Sequence, residues 1–286
     1  MTLRSLPKAK AFDRPQGYSW DAPAGALSEW ADRPLAAEAD DRNTVSIYDV
    51  IGQDYWTGEG FTAKKMAGIL RGIGASPVTV NVNSPGGDMF EGLAIYNLLA
   101  EHPARVTVKV MGIAASAASV IAMAADDLLM GTGSMLMIHR AWGVVVGNRN
   151  DFADAADKFD TFDRSMAAIY SARTGIAEND ILALLDGPSR TSDGTYMTAS
   201  EAIDQKFADG TFDAGDAGPD ARAAVPAPIL ARRRMEAAMA RDGIGRKERA
   251  DYFSTILGAR DAAQPAPRDA GDLTAADILS AIRTLR

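Results

Sequence analysis

The chain has 286 residues, 47% of them apolar, enough to bury a substantial core in one large unit with appended segments. A formal net charge of −8 argues against a surface built on phosphate neutralisation, so nucleic acid is not an expected partner. The absence of cysteine excludes disulfides, thiolate nucleophiles and zinc–sulfur sites, and two histidines without a cluster argue against a transition-metal centre. No metal or other cofactor is expected.

The N-terminal stretch MTLRSLPKAKAFDRP lacks an apolar core of signal-peptide length. The uncharged run from Val110 to Ala125 is short for a membrane span and rich in Gly, Ala and Ser. The expectation is a soluble, cytoplasmic protein with no membrane partner.

Residues 1–43 hold Pro7, Pro15, Pro23 and Pro34 among scattered aromatics with no sustained period, and read as an extended arm that orders only against a partner surface. From Thr44 the pattern becomes α/β. TVSIYDVI reads as a strand, and the helix after it has Thr62 as N-cap and Met66, Ile69, Leu70 and Ile73 on its core side. PVTVNVN (77–83) is a second strand, broken by Ser84-Pro85-Gly86-Gly87 and followed at once by a helical pattern. RVTVKVM (105–111) is a third, with Gly112 opening a turn into a buried helix of small residues that ends near Asp126 and Asp127.

Short apolar runs at 128–130 and 134–138 follow, the second ending at His139, and GVVVGNR (143–149) reads as one more strand. Asp151 to Ala172 has the apolar stripe of a long helix, and a shorter helix spans Glu178 to Leu185. A loop, GPSRTSDGTY, then leads to Thr198 as the cap of ASEAIDQKF. Residues 214–286 turn to Ala, Asp, Gly, Pro and Arg, with VPAPI and AQPAP as linker signals and helical patterns at 229–241 and 273–285.

Three strand ends carry groups suited to acyl transfer. Ser116, in GIAASAAS, has small neighbours that let a substrate backbone come close. A serine needs a positioned base, and His139, closing an apolar strand, suits that role. His102, before Pro103, reads as a helix C-terminal residue facing the helix dipole. The two glycines of NSPGG free a backbone N–H to point outward, and the N–H of Ala117 beside the serine is its natural partner for an oxyanion.

The ordered motifs NSPGG, GIAASAAS and MIHRAWG resemble the ClpP family of serine peptidases, whose pattern is NSPGG, GQAAS and MIHQP. The similarity covers about residues 44–213. It implies Ser116 as nucleophile, His139 as general base, and the Gly87 and Ala117 amides as the oxyanion hole. It also implies a ClpP/crotonase-like fold of repeated β-β-α units, assembled into homo-oligomeric rings that act on protein or peptide substrates. The family's acid lies two residues before an aromatic. In TSDGTYMTASEA that place is Gly194, so the implied acid, Asp193, sits one residue early, with Asp160 and Asp163 as fallbacks.

The resemblance divides the chain into an arm (1–43), a peptidase domain (44–213) and a linker with a helical tail (214–286). Such decoration is similar to the ClpP-related head maturation proteases of tailed bacteriophages. That narrower likeness implies scaffold and capsid proteins as substrates, in the host cytoplasm or inside the procapsid. The rival readings are a crotonase-type acyl-CoA enzyme, a Ser–Lys peptidase, which lacks a lysine between Lys109 and Lys158, and a non-catalytic assembly subunit that kept the fold.

Overall fold

The computed structural model describes residue 7 and residues 19–31, 42–52, 60–189, 192–212 and 227–263, with the backbone alone at 19–20, 227–229, 247 and 256–263. The expected helix at 273–285 lies outside the described residues.

A parallel sheet forms the centre, in the order β2 (Thr44–Ile47), β3 (Val78–Ser84), β4 (Val106–Ala115), β5 (Asp127–Gly131) and β9 (Gly210–Phe212). Its strands alternate in the way that half-covered strands must, with Val78, Val80 and Val82 of β3 and Val106, Val108 and Val110 of β4 all buried. Against these pack α2 (Ala63–Ile73), α3 (Met89–Ala100), α4 (Ala117–Ala122) and the 26-residue α5 (Arg149–Thr174), in one continuous core. Thr62 caps α2 by accepting from the Lys65 amide, and Thr198 and Glu201 form a capping box on α7 (Ala199–Asp204). Among the described residues no helix is long and apolar enough to cross a membrane.

The sheet divides along β4. Residues 107–110 pair with β5, while residues 113–115 pair in parallel with β6 (Met135–Ile138), which is itself antiparallel to β8 (Thr195–Thr198). The chain therefore stays extended through Gly112, where a turn into the helix was expected, and α4 is left with six residues. Alanine's helix preference of well under 1 kcal/mol per residue yields to the ladder bonds offered by β6. Strand β8 likewise replaces part of an expected loop, and β7 is cut to Gly143–Val144.

Residues 19–31, expected as part of an extended arm, pack against the chain itself. β1 (Ser19–Trp20) pairs antiparallel with β7, and α1 (Ala24–Ala31) buries Ala26, Leu27 and Trp30 in a second core with Ile113, Ala115 and Met137. The Trp30 indole N–H donates to the Asn83 carbonyl at 2.8 Å. From the C-terminal side come α8 (Ala227–Arg241) and α9 (Arg246–Ala263), the first matching its sequence pattern, the second not anticipated. Ala237 of α8 joins the second core, and the Arg233 guanidinium lies 3.7 Å from the Trp30 ring centroid.

Arg173 ties the long helix to the sheet: its buried guanidinium donates to the Ala125 carbonyl at 2.7 Å, to the Phe207 carbonyl at 3.2 Å, and to the Asp209 carboxylate. Arg173→Ala strands these acceptors together and should lower unfolding stability by about 3 kcal/mol, read as a shifted urea midpoint at unchanged slope.

Candidate active site

Ser116 follows the last residue of β4, and its amide donates to the Met137 carbonyl on β6 at 3.0 Å. Its backbone has φ 54° and ψ −126°, a conformation that costs a non-glycine residue about 1–3 kcal/mol and turns the side chain out of the strand. Surrounding bonds hold the strain in place. The Ser116 carbonyl accepts from the Ser119 amide at 2.9 Å and from the Ser119 hydroxyl at 2.6 Å, and the Tyr170 hydroxyl lies 2.8 Å from Ser119 Oγ. Since Ser119 has already donated its proton, Tyr170 is the donor in that second link.

His139 follows β6, the strand paired with that of Ser116, and the two side chains meet. Nε2 of His139 lies 2.6 Å from Oγ of Ser116. Enclosure by protein disfavours the imidazolium and pushes the ring's pKa from 6.5 down to about 4, so the ring is the neutral acceptor that a serine needs.

The glycine turn completes the site. Gly86 and Gly87 adopt φ of 90° and 143°, and a Cβ on Gly86 would lie 2.6 Å from the Ser116 Cβ. Only glycine allows this approach. The neighbouring amides of Ile51 and Asp88 are engaged, whereas among the described residues neither the Gly87 nor the Ala117 N–H is donated to another group. Both residues line one small cavity with Ser116 and His139.

Asp193 stands apart from this cluster. Among the described residues no hydrogen bond or ion pair joins it to His139; a Cβ on Gly25 of α1 would fall 2.3 Å from its Oδ2. Gly194, at φ 122°, explains the displaced acid: a Cβ there would fall 2.3 Å from the Ile138 carbonyl and 2.5 Å from the His139 Cβ. No side chain fits where the resemblance looks for a carboxylate. Of the fallback acids, Asp160 is an exposed helix-face residue paired with Arg164. Asp163 is buried and accepts from the Ala141 amide at 2.7 Å and from Arg140 at 3.0 Å, which fixes the chain just beyond His139. Burial raises its carboxyl pKa against the opposing pull of these donors.

His102 lies elsewhere, buried, with Nε2 2.8 Å from the Ser76 carbonyl. Lys109 directs its ammonium over the Phe212 ring, 5.4 Å from the centroid, and among the described residues no lysine lines the cavity that holds Ser116. Among the described residues no group of three or more potential ligands converges on a metal position. Sequence reading missed Ser119, which bonds the Ser116 carbonyl from three residues on, and Tyr170 and Asp21, which reach the site only through tertiary contacts.

A hydroxyl on a strained turn, a neutral imidazole bonded to it and two undonated amides form a set able to carry out acyl transfer. The Clp protease family model matches residues 69–214, half of the chain, and the chain belongs to the Clp protease family. It is 26% identical over 147 residues to the ATP-dependent Clp protease proteolytic subunit 1 of Salinibacter ruber, a match covering 49% of this chain and 60% of that one. It is 34% identical over 126 residues to the ATP-dependent Clp protease proteolytic subunit of Pleurastrum terricola, covering 43% and 61% respectively. The chain thus spans about 60% of the length of these relatives. A ClpP1 mutant from Listeria monocytogenes shares the fold, with a TM-score of 0.50 at 21% identity over 62% of this chain and 95% of that one.

Because the chain has only two histidines, their ring protons can be titrated by NMR in the full-length protein. The signal that persists in His102→Ala belongs to His139 and should titrate near pH 4; a midpoint near 6.5 would contradict the enclosed ring. Its folded value lies below the unfolded one, so the neutral ring's stabilisation is full above about pH 6.5 and lost as pH falls toward 4.

Proposed function

We propose that the protein is a serine endopeptidase working through an acyl-enzyme, and the observation that carries this is the 2.6 Å contact between His139 Nε2 and Ser116 Oγ. His139 takes the hydroxyl proton as Ser116 attacks a peptide carbonyl. The Gly87 and Ala117 amides then hold the oxyanion, and His139 returns the proton to the leaving amine before water releases the acyl group. Asp193 orients the imidazolium after a shift of the 192–195 loop; in support, Gly194 packs against His139, and Asp193 lines the same groove as the histidine. No metal or other cofactor takes part.

The substrate lies extended along the edge of β7, where backbone pairing gives affinity without dependence on sequence. Exposed Trp142, Val144 and Val146 around that strand support assembly of several copies into a ring. The segments outside the matched region, α1 on one side and α8 with α9 on the other, support the narrower reading of a phage head maturation protease that trims scaffold and capsid proteins. The crotonase reading has less behind it, since an enolate-stabilising site needs no serine bonded to a histidine.

Mass spectrometry of the protein co-expressed with a candidate scaffold or capsid protein, beside Ser116→Ala, tests the reading: cleavage should occur with the first and vanish with the second. His139→Ala should lower cleavage by about 10⁴-fold, while His102→Ala should cost about 1 kcal/mol of stability and leave the rate unchanged. Failure of Ser116 to react with a fluorophosphonate in every assembly state would favour a non-catalytic assembly subunit.

A further inference from the structure

The edge of β7 is already occupied by the chain's own N-terminal segment. Ser19 pairs with Val144 and Trp20 with Gly143, so the chain runs antiparallel to β7 and is carried on toward His139. The next residue, Asp21, lines the small cavity that holds Ser116, His139, Gly87 and Ala117. Ala22, Pro23 and Ala24 then line the adjoining groove of about 960 Å³ together with His139 and Asp193.

This segment is locked from three sides. The buried Asp21 carboxylate accepts from Arg249 of α9 at 2.8 Å, with both side chains at least 94% enclosed. Arg233 of α8 stacks on Trp30, and Ala237 joins the same core as Ala26 and Leu27. Gly25 lies so close to the Asp193 carboxylate that an added Cβ would fall 2.3 Å from Oδ2 and 2.9 Å from the Tyr196 hydroxyl.

Resting on the peptidase reading above, we infer that residues 19–25 are an autoinhibitory strap, held by the C-terminal helices, that fills the peptide-binding edge and keeps Asp193 away from His139. Release of the Arg249 and Arg233 contacts frees the groove and the acid in one motion. The two ends of the chain then act as a single switch, in which the state competent for substrate is the minor one until the tail is displaced.

The absence of native cysteine makes the strap directly testable. Full-length protein carrying Ser19→Cys and Val144→Cys has one thiol pair at register partners, within disulfide reach for antiparallel strands. The rate of fluorophosphonate labelling at Ser116 is measured with the pair oxidised and reduced. Oxidation should slow labelling by about tenfold or more, reversibly, and Arg249→Ala without the cysteines should label several-fold faster than the unaltered protein. Equal, measurable rates in the oxidised and reduced forms overturn the strap while leaving the peptidase reading intact, as does a pair that stays reduced in the folded protein under oxidant. No labelling in either form overturns the peptidase reading, and the strap with it. If Arg249→Ala fails to fold, the cysteine pair decides alone.

Discussion

The structure depends on the three-residue parallel ladder between the end of β4 and β6, where Ile113, Ala114 and Ala115 meet Met135, Leu136 and Met137. Because Ala115 stands opposite Met137, Ser116 comes level with Ile138 and His139 follows one residue on, so both leave adjacent strand ends, and the Ser116 amide closes the ladder on the Met137 carbonyl. A register slip of one residue would send the side chains of either strand to the opposite face. The hydroxyl–imidazole contact is therefore a consequence of backbone pairing set before either side chain contributes.

The same ladder explains why so many small residues crowd this region. Gly86 has no space for a Cβ beside Ser116, and a Cβ on Gly92 of α3 would fall 2.9 Å from the Ala117 Cβ. The glycine turn, the serine turn and the helix behind them nest at backbone distance, which fixes the amide directions more firmly than side-chain packing could. The strained Ser116 conformation persists since the ladder on one side and the Ser119–Tyr170 chain on the other over-determine it.

The N-terminal segment and the C-terminal helices form a second assembly on the sheet. It shares Ile113, Ala115 and Met137 with the strands that position Ser116 and His139, so it adjoins that pair and is not a remote appendage. Asp21 and Arg249, 228 residues apart, meet in a buried ion pair whose desolvation is offset only if both partners stay in place. Such a pair makes docking of the two ends cooperative: each is held poorly without the other.

Local sequence already determined much of this protein. Alternating valines marked β3 and β4, the caps at Thr62 and Thr198 marked their helices, and the ordered motifs around Gly87, Ser116 and His139 marked the residues that come together. Those features are legible because they rest on short-range periodicity and on turn chemistry that few residues satisfy. Tertiary structure alone decided that Gly112 continues a strand, that Asp193 faces Gly25, that Asp163 fixes the chain after His139, and that residues 19–31 fold back onto their own chain. Each of these outcomes turns on a partner far away in sequence, and no local pattern specifies which distant backbone edge or buried charge a segment will meet.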